Sequence, residues 1–234
     1  MPIMATPIIV GIAGGSGSGK TTLAEGLRDL TADFGSVAIT QDDYYLGVPD
    51  GADASGYNFD EPVALDLDRL ASDLAALKAG RAVRRPVYDF VRHRRSDRAQ
   101  VTSPSPLIIV EGLFLFVLPA LRDLFDLRFF VDVPAHERLR RRVQRDRTSR
   151  GRSEEDVRNQ WTRQVEPMYV KHTLPTRACA DFVLDMPHPD DLAYSEQVVA
   201  LWGMIEVRMQ ADRHGTKSFK CLSPKRSTPS ADLT

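Results

Sequence analysis

Near the N-terminus, Gly14-Gly15-Ser16-Gly17-Ser18-Gly19-Lys20-Thr21 fits the pattern G-x-x-x-x-G-K-[ST], and Thr22 adds a second hydroxyl. Such glycines let backbone N–H groups turn inward around phosphate oxygens. The lysine reaches the β- and γ-phosphates, and the hydroxyl after it can coordinate Mg²⁺. ATP and Mg²⁺ are therefore the expected ligands, and chemistry at a γ-phosphate is the expected reaction. Motors, switches and kinases share this loop, so other residues must decide among them.

Asp42 and Glu111 each follow a short apolar run, Val37–Thr40 and Leu107–Val110. If those runs are parallel strands, both carboxylates lie at the crevice beside the phosphate loop. One can hold the metal while another accepts the proton of an attacking hydroxyl. Either residue taken alone could equally be a solvated strand end.

Eight arginines fall between Arg138 and Arg152. Arg138, Arg142 and Arg145 share a helical face by their spacing, and Arg150-Gly151-Arg152 lies in a polar break. A positive face of this kind can stabilise charge on a transferred phosphoryl group, and a hinged basic segment can close over it as a lid. Arg140, Arg141 and Arg147 read as a solvated face. A nucleic-acid patch is disfavoured, because no aromatics are interleaved and the net charge of the chain is −1. His93 lies in the basic turn Val91-Arg92-His93-Arg94-Arg95, where a lone histidine is by itself a surface residue.

These residues need a frame to hold them. Ile8 to Ala13 reads as a buried strand that ends on the glycines, with a helix from Lys20 to about Asp33. Leu67, Leu70, Leu74 and Leu77 predict a helix over Asp66–Ala79, stopped by Gly80. Pro86–Val91 and Gln100–Thr102 predict two extended pieces around a basic turn, and Leu113–Phe125 a mostly helical stretch. Leu127–Val133 reads as a strand, with Pro134 starting the arginine-rich helix and another helix beginning near Glu154. Phe182–Leu184 and Asp191–Met209 complete the alternation. Strands alternating with helices predict an α/β fold: a P-loop NTPase-type parallel sheet flanked by helices, with a small extended substrate-binding lobe and an arginine-rich lid.

With 42% hydrophobic and 27% charged residues in 234, one globular domain over residues 1–214 is expected, followed by a disordered tail, 215–234. The two cysteines, Cys179 and Cys221, have no metal-ligand spacing, which suits a reducing, cytoplasmic setting. Ile8–Ala13 is too short for a secretory segment, and no run approaches the roughly 18 apolar residues of a membrane span. Neither a membrane nor a nucleic-acid partner is expected.

The chain resembles the uridine–cytidine kinase family, within the wider phosphoribulokinase/uridine kinase group. The landmarks, in order, are GGSGSGKTT (14–22), QDDYY (41–45), YNFDEP (57–62), PVYDFVRHRR (86–95), VEGLF (110–114), RRVQRDRTSRGR (141–152) and LPTRACAD (174–181). The resemblance implies Asp42 as base for a nucleoside 5′-hydroxyl, with Glu111 helping to place the metal beside Thr21. It implies Asp60 on the ribose hydroxyls, and Tyr45, Tyr88, Phe90 and Leu113 as walls around sugar and base. Arg142, Arg152 and Gln160 would complete the substrate contacts, and Arg145 and Arg150 would face ATP phosphates. His93 would read the pyrimidine edge, since a neutral imidazole can donate or accept according to tautomer.

The resemblance further implies a homo-oligomer, with a tetramer as the candidate assembly, inhibited by pyrimidine triphosphates. Met186–Asp190 departs from the family pattern, which leaves an adenine contact there unassigned. The reaction so implied is transfer of the γ-phosphoryl of ATP to uridine or cytidine. Its rivals are a kinase of the same group acting on another nucleoside or a phospho-sugar, and a slow nucleotide-hydrolysing switch, which would not need Asp60, Tyr88 or His93.

Overall fold

Short β-branched runs with no polar face can be buried only if both sides of their sheet are covered. The computed structural model, which describes residues 6–49, 56–187 and 191–213, meets that requirement. Along the chain run β1 (Ile8–Gly14), α1 (Lys20–Leu30), β2 (Ser36–Thr40), α2 (Leu67–Lys78), β3 (Val83–Asp89), β4 (Arg94–Thr102) and β5 (Leu107–Gly112). There follow α3 (Pro119–Arg122), β6 (Leu127–Val131), α4 (Ala135–Arg150), α5 (Glu154–Gln160), α6 (Glu166–Met168), β7 (Phe182–Leu184) and α7 (Leu192–Arg213). Five strands form a parallel sheet in the order β2-β5-β1-β6-β7.

The two faces of β1 build two cores. Ile8, Val10 and Ile12 pack with Leu23 and Leu27 of α1 and with Val198, Leu201 and Ile205 of α7. Ile9 and Ala13 point the other way, into a cluster with Leu70, Leu74 and Leu77 of α2 and with Phe114, Phe116 and Phe125. Gly11 lies where those aromatics cross: a Cβ there would stand 2.8 Å from the Phe116 ring and 2.9 Å from Phe125.

Several elements differ from expectation for identifiable reasons. Between Leu113 and Phe125 the helix is confined to α3; the chain before it is an irregular cap whose Phe114, Leu115 and Phe116 are buried against the core. An apolar run without helical spacing cannot reveal that choice. β4 begins at Arg94, so Arg94 and Arg95 of the expected basic turn and the residues from Ser96 to Ala99 are strand, in the hairpin paired antiparallel with β3. Its polar composition hides it, since one face of this two-stranded sheet is open to solvent. α1 stops at Leu30, where the Thr31 hydroxyl donates to Leu27 O at 2.6 Å and a 3₁₀ turn follows. α4 runs through Thr148 to Arg150 and ends on Gly151 at φ 63°. Beyond α5, π-helical turns at Trp161–Val165 and Tyr169–Thr173 flank α6, and Pro167, which lacks a backbone donor, lies between them. The expectations for the tail from 215 and for residues 188–190 fall outside the described residues.

Gly11→Ala should overpack the Phe116–Phe125 contact and cost about 1–3 kcal/mol. Denaturant unfolding should show a lowered midpoint with an unchanged slope.

Candidate active site

The loop between β1 and α1 is fixed from below. Gly17 has φ 78°, and a Cβ on it would strike the Arg138 carbonyl. Arg138 itself is 2% exposed, donates Nε–H to Val133 O at 2.9 Å and pairs with Glu166 at 3.0 Å. Its guanidinium lies 3.9 Å from the Tyr169 ring centre and 5.1 Å from that of Trp161. This corrects the reading of Arg138 as part of a phosphate-facing row: it is the floor of the loop. Arg141 is likewise less solvated than expected, donating to Glu137 at 2.8 Å and to Met186 O at 3.2 Å. Lys20 is buried at the start of α1, and its ammonium donates to Gly15 O at 2.9 Å. The Ser18 hydroxyl is buried beneath the loop without a protein partner.

Parallel registry brings the carboxylates to this loop. Glu111 stands beside Ile12 of β1 and Thr40 of β2, and its Oε1 accepts the Thr40 hydroxyl at 2.6 Å. Asp42 follows in the 3₁₀ turn Gln41–Tyr44, and its N–H donates to the Thr40 hydroxyl at 3.3 Å. Burial pushes both carboxyls above their ordinary range; the Asp42 charge adds to the rise in Glu111, and Lys20 opposes the rise in both. Burial lowers Lys20, while Glu111 and Asp42 hold it up. Two desolvated carboxylates and one lysine are an arrangement that a further cation would relieve.

The aromatic side chains expected around an acceptor come together in a chain of ring contacts. His93 lies 5.4 Å from Phe59, Phe59 5.7 Å from Tyr45, Tyr45 5.4 Å from Tyr88, and Tyr88 5.1 Å from Phe90. Leu113 is half-buried against the larger core cluster to which Tyr45 and Tyr88 belong, and the Tyr88 hydroxyl is buried without a protein partner. His93 has φ 51°, and its carbonyl accepts Val48 N–H at 2.9 Å, so the hairpin turn has a set shape. Both His93 and Phe90 are exposed. Asp60 is buried below, its carboxyl raised by burial and pulled back chiefly by Arg142.

Arg142 spans the two halves. It donates to the Ser16 hydroxyl at 2.7 Å and to Gln160 Oε1 at 3.0 Å, and Arg152 reaches the same Gln160 oxygen at 2.7 Å. Arg145 and Arg150 are exposed on the crevice side, where their charge opposes the rise in Asp42. By contrast, Arg140, Arg147 and Arg158 line a cavity of about 590 Å³ on the outer side of α4 and α5. Those three are already paired with Glu137 or Glu154.

The sequence matches the Phosphoribulokinase / Uridine kinase family over residues 9–193. The chain belongs to this family of kinases. It is 42% identical over 190 residues to the uridine kinase of Lactobacillus johnsonii, covering 80% of this chain and 90% of the relative. To the uridine kinase of Halalkalibacterium halodurans it is 37% identical over 205 residues, covering 86% and 96%. Phosphoribulokinase from Rhodobacter spheroides shares the fold, with a TM-score of 0.63 at 16% identity over 89% of this chain and 99% of that one. The family therefore agrees with the parallel P-loop architecture, and no described helix is long and apolar enough to cross a membrane.

Family membership implies a nucleoside triphosphate and a divalent metal, and the residues fit both. The loop's inward-turning backbone and Lys20 suit phosphate oxygens. The oxygen donors that could hold the metal are the Thr21 hydroxyl and the Asp42 and Glu111 carboxylates; among the described residues no group of three His, Cys, Asp or Glu side chains is placed to hold a metal ion. A site with so few protein ligands suits Mg²⁺, which keeps waters and phosphate oxygens around itself.

Reading by sequence missed Asp146, Phe59 and Tyr57. Asp146 is fully buried and contacts four arginines. The available signal was its being the one acid inside the arginine run, four residues after Arg142. Phe59 and Tyr57 pack edge-on at 4.7 Å and extend the aromatic wall.

Because burial raises Asp42 in the folded protein, ionising it costs stability as pH climbs through the folded value. Asp42→Asn should therefore raise the melting temperature of nucleotide-free protein at about pH 7.5. The gain should fade toward about pH 4, where the wild-type carboxyl is protonated as well. Melting curves across that range check it; a gain independent of pH would contradict the direction of the shift.

Proposed function

We propose that the chain is a uridine/cytidine kinase, transferring the γ-phosphoryl of ATP to the nucleoside 5′-hydroxyl. The observation that carries this reading is the pairing of a phosphate loop with a buried carboxylate, Asp60, and an unpartnered buried hydroxyl, Tyr88, inside an aromatic wall. A hydrolysing switch has no use for such a pocket. The names of the relatives support the acceptor class.

In this reading Lys20 and the backbone of residues 14–22 bind the β- and γ-phosphates. Asp42 takes the proton from the 5′-hydroxyl as that oxygen attacks, and its raised affinity for a proton suits a base. Bound Mg²⁺, held by Thr21, Asp42 and Glu111, supplies charge neutralisation at the phosphates. Asp60 accepts from the ribose hydroxyls; Tyr45, Tyr88, Phe90 and Leu113 wall the sugar and base; His93 meets the base edge. Arg142, Arg152 and Gln160 link acceptor to phosphate loop, while Arg145 and Arg150 face the phosphates and exclude water when the lid closes.

A screen of nucleosides and phospho-sugars with Mg·ATP, reading product mass, should return uridine and cytidine as the good acceptors; exclusive use of a sugar phosphate would overturn the assignment. Lys20→Ala should abolish most transfer in a folded protein. Asp42→Asn should lower kcat by roughly 10²–10⁴-fold with a smaller effect on ATP binding. His93→Phe keeps a ring but removes both nitrogens. It should cost about 1–3 kcal/mol in kcat/KM for both pyrimidines, whereas a surface role predicts no change.

A further inference from the structure

Asp146 lies within α4 with no exposed surface. Its Oδ1 accepts Arg145 Nε–H at 2.9 Å and faces Arg145 Nη2 at 2.8 Å and Arg150 Nη1 at 3.6 Å. Its Oδ2 faces Arg152 Nη1 at 3.4 Å and Arg142 Nε at 3.6 Å. Four guanidiniums thus share one carboxylate, which offers about four lone-pair directions in total. The backbone joins in: Arg152 N–H donates to Asp146 O at 3.1 Å, closing the end of the helix back onto the same residue.

The four arginines are not held alike. Arg142 and Arg152 have a second anchor in Gln160, and further ones in Ser16 and Asp156. Arg145 and Arg150 rest on Oδ1 and are the solvent-facing pair, 43% and 45% exposed. They are also two of the three arginines whose charge reaches Asp42. Two flexible cations lean on one oxygen next to a crevice built for a polyphosphate, whose many oxygens could satisfy both at once.

We propose that Asp146 is a positioning residue acting as a built-in counter-anion. It holds Arg145 and Arg150 while no polyphosphate is bound, and polyphosphate oxygens take both from it, with Arg142 and Arg152 remaining anchored on Gln160. This rests on the assignment of Arg145 and Arg150 to ATP phosphates. The exchange makes phosphate affinity a difference: what the arginines gain on the polyphosphate less what they give up at Asp146. The cost of releasing the arginines from Asp146 is thereby set against binding.

Inorganic tripolyphosphate, which binds without turnover, tests this by calorimetry on the full chain. Asp146→Asn keeps the shape and removes the competing charge, so it should bind tripolyphosphate about 5-fold or more tightly than wild type. Equal or weaker binding by the folded variant would overturn the exchange. Arg145→Ala in the wild-type background separates the two layers. If it weakens tripolyphosphate binding while Asp146→Asn does not tighten it, the phosphate assignment stands and the exchange fails. If it changes nothing, the phosphate assignment itself fails and takes the exchange with it. Should Asp146→Asn not fold, wild-type crystals with bound tripolyphosphate decide. Arg145 moved beyond about 4 Å from Asp146 supports the exchange, and a retained contact overturns it.

Discussion

Charge in a half-dry crevice is the constraint on which the rest of this molecule depends. Asp42, Glu111 and Asp60 gather at one edge of the sheet, and burial is the leading cause of the rise in each. Carboxylates so placed would take up protons or draw in water unless fixed cations faced them. Lys20 faces the first two and Arg142 the third, and both cations are themselves desolvated, which lowers them in turn. Neither set would be tolerable alone. Together they leave a site whose charges are only partly balanced by these two cations and can be redistributed when an anionic ligand and its metal arrive.

That balance needs positions accurate to a fraction of a hydrogen bond, and the parallel sheet supplies them. Glu111 is locked between β1 and β2 by registry, and a core on each face leaves the strands no freedom to slide. Asp42 is held through its neighbours: Arg85 pairs with Asp43 at 3.1 Å, and Arg95 donates to Tyr45 O at 3.0 Å and Tyr44 O at 3.1 Å. Both arginines come from the β3–β4 hairpin, whose turn carries His93. The hairpin that carries Tyr88 and His93 therefore also grips the turn that carries Asp42, so the shape of the aromatic cluster and the position of this carboxylate are set together.

Legibility followed the range of the interaction. The phosphate loop and both strand-end carboxylates could be read because their chemistry is written in neighbouring residues: glycines, then lysine, or a β-branched run, then an acid. The parallel sheet could be read from alternation alone. β4 could not, because Arg94, Arg95, Ser96, Asp97 and Arg98 show no apolar periodicity; what makes them a strand is Arg95 reaching back to Tyr44 and Tyr45, 51 and 50 residues away, and to Asp66, 29 residues away. Asp146 was hidden for a related reason. Its neighbours looked like one basic surface, and helical spacing does not say that an acid among them is turned inward and fully buried.

Arg138 shows how far spacing can mislead. It shares a helical row with Arg142 and Arg145, yet it sits under the loop rather than over the phosphates. A buried guanidinium is costly, and an apolar side chain of similar volume could often fill such a space at no loss of stability. An apolar floor could not, however, do three things at once. Arg138 holds Val133 O at the start of α4, carries aromatic rings on its flat faces and fixes Glu166 beyond them. Its Nη1 has no protein partner, and a Cβ on Gly15 would come within 2.7 Å of it. A positive charge at that spot adds to the field of the helix N-terminus immediately above, where phosphate oxygens are expected. The same residue thus ties the helical segment that carries Glu166 to the phosphate loop through one planar cation.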